Sequence, residues 1–344
     1  MLAVRFYGKH DVRVVDVEKP VPKAGEVLIK IAAAGVCHSD LHVIHNGLSS
    51  AGVDWPFTLG HENAGWVEEL GDGVTGFSKG DPVLVFGPWG CGHCHPCQTS
   101  AENYCEHRSE IAGYGGGLGL DGGMAQYMVV PSPRLLVPLG TVDPRKAAPL
   151  SDAALTPYHA IRRSMDKLTP DAFVVIQGIG GLGHMAIQII KAITSVTVIA
   201  CDITEDRLQL ARHHGADHAV NSTDGDAAEQ ILKITGSKKA ALVLDFVGID
   251  ATLALGSKLV GMNSAWTVVG LGGGTYAVNA RSLPYGCSLS IPYWGTRIEL
   301  MEVIQLAERG IISVETQEFP LKDALDVYQQ LENGQIIGRA VLIP

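Results

Sequence analysis

Phe173-Val174-Val175-Ile176-Gln177-Gly178-Ile179-Gly180-Gly181-Leu182-Gly183-His184 is the stretch that decides the fold. Its first four residues are apolar and β-branched or aromatic, and they read as a short buried strand. Gly178, Gly180 and Gly183 then fill a G-x-G-x-x-G turn. From His184 to Ile193, Met185, Ile189 and Ala192 share one helical face, with Ile190 and Ile193 beside them. Strand, glycine turn and helix in this order open a dinucleotide-binding unit. Gly178 permits the tight turn, Gly180 lets backbone approach a pyrophosphate, and Gly183 lets helix pack on strand. Gly181 and Leu182 lie at the helix N-terminus, which offers free N–H groups and partial positive charge. The next apolar run, Val196 to Cys201, ends at Asp202, close to the required spacing of about 20 residues. An acid there accepts hydrogen bonds from ribose hydroxyls and repels a 2′-phosphate, which favours NAD over NADP. Arg207, a little further on, could help either form. The competing reading, a glycine turn used only for chain reversal, does not explain the acid.

Working outward, strands expected at Ala241 to Val247 and Trp266 to Leu271 alternate with helices at Glu205 to His214, Ala227 to Ile234 and Ala251 to Val260. That alternation means βαβ units and a doubly wound parallel sheet, an α/β fold. Residues 1–150 differ. Val27 to Ile31, Gly65 to Leu70, Pro82 to Phe86 and Met124 to Val130 are β-type runs bounded by Gly, Pro and Asp, as in a rolled-up β domain. Residues 113–123, GYGGGLGLDGG, read as a mobile loop, its glycines serving either backbone approach to a ligand or a surface turn. The last stretch carries helices at Arg297 to Arg309 and Leu321 to Asn333 and a strand at Arg339 to Ile343.

The 344 residues suggest two domains. With 46% hydrophobic and 18% charged residues the chain is globular rather than disordered. A net charge of −10 argues against nucleic acid or an anionic membrane as main partner. No apolar run approaches the ~18 residues of a membrane helix, and the N-terminus has no signal-peptide pattern. The expected compartment is therefore the cytoplasm, where cysteines are thiols or metal ligands rather than disulfides.

Four of the seven cysteines, Cys91, Cys94, Cys97 and Cys105, form C-x2-C-x2-C-x7-C. Four thiolates this close can wrap one Zn2+ tetrahedrally and leave no position for water, which makes a structural site. A ferredoxin-type run has a shorter last gap and a following proline. His93 and His95 lie inside the cluster and could compete, but four cysteines suffice. Elsewhere Cys37-His38-Ser39-Asp40, Gly60-His61-Glu62 and Asp152 stand out. Taken singly, a lone cysteine, histidine or aspartate is more often structural than ligating.

Together, Gly35-x-Cys37-x-Ser39-Asp40, Gly60-His61-Glu62, the four-cysteine run and the glycine turn with its acid resemble the zinc-dependent medium-chain alcohol dehydrogenases. Gly87-Pro88-Trp89-Gly90, Leu155-Thr156-Pro157-Tyr158-His159 and Pro292-Tyr293-Trp294-Gly295-Thr296-Arg297 look most like the bacterial secondary-alcohol dehydrogenases among them. The resemblance implies a GroES-like β-rich catalytic domain at 1–153, a Rossmann NAD-binding domain at 154–290, and return of the chain to the first domain at 291–344. It implies two zincs per chain, the second held by Cys37, His61 and Asp152, where many relatives have a cysteine in place of Asp152. Glu62 would stand beside them as a transient ligand, and Asp40 would orient His61. Ser39 and His42 would carry the substrate proton toward water. His38 and Arg339 would meet the cofactor pyrophosphate, and Leu271 the nicotinamide.

Each assignment has a plainer rival. Glu62 and Asp40 could be ordinary surface charges, His38 and Arg339 surface cations, and His42 a pocket wall. Trp55, Phe57, Leu118, Tyr285, Tyr293 and Trp294 are candidates for an apolar substrate pocket, with core packing as the alternative. An apolar lining favours hydrophobic alcohols and ketones. A polyol or sugar dehydrogenase would need a polar one. A zinc-stabilised nucleotide-binding regulator without turnover would not need the Cys37, Ser39 and His61 set. By resemblance the protein is a homo-tetramer or homo-dimer. Cys201 and Cys287 read as small buried hydrophobes.

Overall fold

Val27–Val36 reads V-L-I-K-I-A-A-A-G-V, and only Lys30 of the ten is exposed. A strand buried on both faces belongs in the interior of a sheet. In the computed structural model it pairs on both sides and organises the first part of the chain. The structure describes residues 1–48, 53 and 55–344, and statements of number or absence below concern these residues. The chain divides into two compact units, 1–155 with 294–344, and 156–293. The joins fall at 155/156 and 293/294 rather than at 153/154 and 290/291. Trp294 goes with the first unit because its indole N–H donates to the Ser151 carbonyl at 2.7 Å.

The first unit begins with β1 (Leu2–Gly8), β2 (Asp11–Asp16), β3 (Val27–Val36), β4 (Phe57–Thr58) and β5 (Glu62–Leu70). It continues with β6 (Pro82–Val85), β7 (Gly115–Gly116), β8 (Gly119–Leu120), β9 (Tyr127–Val130) and β10 (Leu136–Pro138). The second unit holds β11 (Phe173–Gln177), β12 (Thr197–Asp202), β13 (His218–Asn221), β14 (Ala240–Asp245), β15 (Val260–Val268) and β16 (Ser288–Ser290). The chain then returns with β17 (Thr316–Pro320) and β18 (Arg339–Ile343). In the first unit one sheet runs β2-β1-β4, and a larger one runs β10-β6-β5-β3-β18-β17 with β9 also on β3. Only β17–β18 and the short β7–β8 pair are parallel there.

In the second unit the order is β13-β12-β11-β14-β15-β16, and every ladder is parallel. The order reverses on either side of β11, the switch point where open α/β sheets bind ligands. Val175, Ile199, Val243 and Trp266 lie in one core, where each large apolar side chain contributes about 1.5–3 kcal/mol by leaving water. The expected strand at Trp266 to Leu271 is instead Val260–Val268, which follows directly on helix Asp250–Leu259. It stops early because Val269 and Gly270 both turn their N–H groups to the Asp245 carbonyl. The β1–β2 hairpin and helices His38–Asn46 and Leu155–Arg162 are additional to the elements expected from sequence.

The expectation of a mobile loop at 113–123 is corrected. Gly113, Gly115–Gly119, Gly122 and Gly123 are buried. Added Cβ atoms would overlap the Gly60 backbone at Gly117 and the Asn63 side chain at Gly123. These glycines seat backbone against the segment that carries His61. Gly117 has φ +82° and Gly73 has φ +80°, but a Cβ at Gly73 meets nothing within 4 Å. Gly73→Ala therefore carries only the left-handed backbone cost of about 1–2 kcal/mol. Gly117→Ala adds overpacking of about 1–3 kcal/mol, and we expect its thermal midpoint to fall about 4–8 °C below that of Gly73→Ala.

Candidate active site and zinc centres

Strands β3 and β5 are antiparallel neighbours with Gly35 opposite Glu62. Cys37 follows the end of one and His61 precedes the start of the other, so both emerge at the same edge of the sheet. A Cβ at Gly35 would overlap the Glu62 carboxylate, so this glycine makes room for the acid. Asp152 follows the tight turn Ala148–Ser151. Cys37 Sγ lies 3.5 Å from Asp152 Oδ2, and His61 Nε2 lies 3.8 Å from the same oxygen. One donor atom from each of the three lies within 4.8 Å of the others. Metal bonds of about 2.0–2.3 Å at tetrahedral angles put ligand atoms roughly 3.3–3.8 Å apart, so the set fits Zn2+ with a fourth position left over.

His61 Nδ1 is 3.1 Å from Asp40 Oδ1. The buried carboxylate accepts a hydrogen bond from Nδ1–H, the tautomer that leaves the Nε2 lone pair for a metal. Asp40 Oδ2 also accepts the Cys37 N–H at 2.9 Å, which caps helix His38–Asn46 and ties the cysteine to the histidine. Burial alone would lower the His61 pKa, but Asp40, Asp152 and Cys37 together hold it well above its ordinary value. A donor set this rich in negative charge calls for a cation.

Asp40 and Glu62 are fully buried, and Arg339 is only 4% exposed, so the surface-charge readings of these three are corrected. The Arg339 guanidinium donates from Nε and Nη2 to Glu62 and from Nη2 to Asp152 at 3.0 Å. Burial pushes the Glu62 carboxyl up to about 7, with Arg339 pulling against it. Glu62 also accepts the Ala153 N–H at 3.1 Å. The metal-type group takes in Cys37, His61 and Asp152 and not Glu62. Arg339 engages Glu62 instead.

Trp294 meets the His61 ring edge-on, with centroids 5.6 Å apart. Its backbone is left-handed, φ 52°, a conformation that costs a non-glycine residue of order 1–3 kcal/mol. The indole fits because Gly87 has no Cβ, which would overlap the ring. Ser39 Oγ lies 3.6 Å from Cys37 Sγ. His42 is half-buried, and burial, with His45 adding to it, pushes its pKa down. His38 is exposed at the start of the helix, and Leu118 is buried in the glycine-rich segment. Phe57 is a core residue, 2% exposed and packed on Phe6 and Trp55. In the second unit Tyr293 is half-buried, while Tyr285 is 81% and Leu271 64% exposed.

Cys91, Cys94, Cys97 and Cys105 form a closed cage. Cys91–Cys97 and Cys94–Cys105 sulfurs are each 3.9 Å apart, close to the roughly 3.8 Å edge of a tetrahedron with 2.3 Å Zn–S bonds. Backbone N–H groups of Cys91 and Cys94 donate to sulfurs of the cage at 3.3 Å. Arg134 braces the lobe, donating to Glu102 and to the Gly90 carbonyl. Sequence reasoning missed Arg134, and it quoted Gly35 and Gly87 within motifs without reading the space they leave for Glu62 and Trp294. Nothing in a linear pattern marks an arginine 29 residues beyond the last cysteine, or a glycine that is needed for a distant side chain.

In the second unit β11 runs into Gly178, φ +87°, and helix Gly183–Ile193 follows. A Cβ at Gly183 would overlap the Gly178 carbonyl, whereas one at Gly180 meets nothing within 4 Å. The space over Gly180 is what a pyrophosphate needs. Asp202 accepts the Ile179 N–H at 2.6 Å and the Ile203 N–H at 2.7 Å, so the carboxylate is held beside the turn. Arg207 Nη1 is 3.9 Å from it. Cys201 is buried, its thiol pushed up to about 12 by burial and by Asp202, and Cys287 is half-buried with its thiol also raised by burial.

A closed thiolate cage, an open cysteine–histidine–aspartate set and a dinucleotide turn on one chain define a zinc-dependent dehydrogenase. Residues 23–141 match the family described as alcohol dehydrogenase GroES-like domain, and residues 181–309 match zinc-binding dehydrogenase. The NAD-dependent alcohol dehydrogenase of Sulfurisphaera tokodaii is 36% identical, covering 96% of this chain and 95% of its own. The D-arabinose 1-dehydrogenase (NADP(+)) of Saccharolobus solfataricus is 34% identical, covering 96% and 93%. The crystal structure of an alcohol dehydrogenase from Aeropyrum pernix is similar with a TM-score of 0.91, 35% identity and full coverage of both chains. The chain belongs to the zinc-containing medium-chain alcohol dehydrogenase family, as an oxidoreductase of its NAD-dependent alcohol dehydrogenase type, with a structural and a catalytic-type zinc site. No helix is long and apolar enough to cross a membrane.

Asp40→Asn keeps the shape but loses the carboxylate that orients His61. We expect the zinc at Cys37, His61 and Asp152 to be held 10–100-fold more weakly, while the four-cysteine zinc stays. Competition with a graded chelator, read by metal analysis, should therefore remove one zinc early and one late.

Proposed function

We propose that the protein interconverts hydrophobic secondary alcohols and ketones with NAD, working as a cytoplasmic homo-oligomer. The observation that carries the substrate reading is the Trp294 ring set edge-on to His61, which gives the open corner of the metal set an aromatic wall. An aromatic wall suits apolar substituents better than charged ones. The oligomer reading is supported by β16, which pairs only with β15, and by exposed Met262, Tyr285 and Ile291 along that part of the second unit. A sugar or polyol substrate is the second reading, favoured by the likeness to the D-arabinose dehydrogenase.

When bound, zinc supplies Lewis acidity to the alcohol oxygen and NAD accepts hydride. Cys37, His61 and Asp152 would hold the metal, with Asp40 fixing the histidine and Arg339 fixing the aspartate. Ser39 Oγ, beside Cys37, would accept the hydrogen bond of the substrate hydroxyl and give up its own proton as the substrate's arrives. His42, whose pKa burial lowers, would be connected to Ser39 through the ribose of the cofactor and would pass the proton to water. Asp202 holds the ribose hydroxyls, and the open face of Gly180 admits the pyrophosphate.

Following NADH absorbance across secondary alcohols, primary alcohols and polyols, we expect the highest kcat/KM for apolar secondary alcohols. A preference for polyols would replace this reading with the second one. Ser39→Ala should lower kcat by about 10²–10⁴-fold with both zincs retained. Gly180→Ala and Gly183→Ala separate cofactor from fold. The first should keep its stability within about 0.5 kcal/mol and weaken NADH binding at least tenfold. The second should lose about 1–3 kcal/mol of stability.

A further inference from the structure

The cage lobe carries two histidines that the four cysteines do not need. His93 stands between the ligands Cys91 and Cys94, and His107 follows Cys105. Their rings face one another with centroids 5.2 Å apart and an interplanar angle of 36°. One ring nitrogen of each lies within 4.8 Å of the other and of Cys91 Sγ. Among the four cage cysteines Cys91 alone is not buried.

The partners of the two rings select the tautomer that binds metal. His93 Nδ1 is 3.1 Å from the Cys91 carbonyl, which can only accept, so Nδ1 carries the proton. His107 Nδ1 is 3.1 Å from Glu110 Oε1, the carboxylate–imidazole arrangement that commonly backs a metal-bound histidine. Both Nε2 lone pairs are then left for a cation. A thiolate sulfur bound to one ion keeps further lone pairs, and Cys91 can share one with a second ion. Two imidazoles and one thiolate are the donor chemistry of Zn2+, Co2+ and Cu2+, not of Mg2+ or Ca2+.

We propose that Cys91, His93 and His107 form a third metal site, which binds a divalent transition-metal ion on the outer face of the cage with Cys91 as a shared ligand and Glu110 behind His107. The site is separate from the dehydrogenase reading and stands or falls without it. His95, which does not join the group, has no part in it.

The test uses the two-zinc protein, exposed to Co2+, desalted and assayed for zinc and cobalt. The expected result is two zincs and one cobalt per chain, with a thiolate-to-cobalt charge-transfer band. The double variant His93→Asn, His107→Asn should keep both zincs and its NADH turnover but take up no cobalt. Glu110→Gln should weaken uptake 10–100-fold. Equal uptake by the double variant, meaning an adventitious ion elsewhere, overturns the proposal. So does uptake without the charge-transfer band, which would exclude Cys91. Loss of a zinc from the double variant also overturns it, because the histidines would then be ligands of the cage itself.

Discussion

Three carboxyl groups and a cysteine sulfur, Asp40, Glu62, Asp152 and Cys37, meet in the interior of the first unit with a single arginine and a single histidine among them. Burying that much negative charge is costly unless each group is paired, so the arrangement of the site follows from pairing. Arg339 neutralises Glu62 and steadies Asp152. Asp40 is satisfied by the Cys37 N–H and the His61 ring. What remains, one sulfur, one nitrogen and one oxygen, converges on a point that a doubly charged cation completes. The antiparallel register of β3 and β5 makes this possible, because it brings the end of one strand beside the start of the other.

Glycine is the means by which the chain approaches itself at the site. Gly35 gives space to the Glu62 carboxylate, Gly87 to the Trp294 ring, and Gly117 and Gly123 to the segment around His61. The cage of four thiolates solves a different problem. It lies in a lobe of short turns with little apolar core of its own, and metal bonds stand in for the missing hydrophobic contacts. Closed coordination there and three-donor coordination at Cys37, His61 and Asp152 separate a structural role from a chemical one on the same chain.

The motifs with fixed local spacing were legible in the sequence. The glycine turn, its acid and the four cysteines each occupy a short segment whose geometry is set by neighbours in the chain. The alternation of the second unit was legible too, since buried parallel strands are short apolar runs between helices. Residues that act across the fold were not. Arg339 read as a surface cation or a cofactor contact, and 277 residues separate it from Glu62. Residues 113–123 read as a loose loop because composition alone cannot tell glycine used for freedom from glycine used for close approach.

By itself the sequence determined the α/β and β-rich division of the chain, the thiolate cage and the dinucleotide turn. It also named Cys37, His61 and Asp152 as ligands, though only through a family likeness. The tertiary structure alone decided which charges neutralise one another, which glycines are obligatory and where Trp294 stands relative to His61. Local patterns are set by the periodicity and backbone freedom of adjacent residues. Charge pairing and close packing depend on distances between segments that only the folded chain brings together.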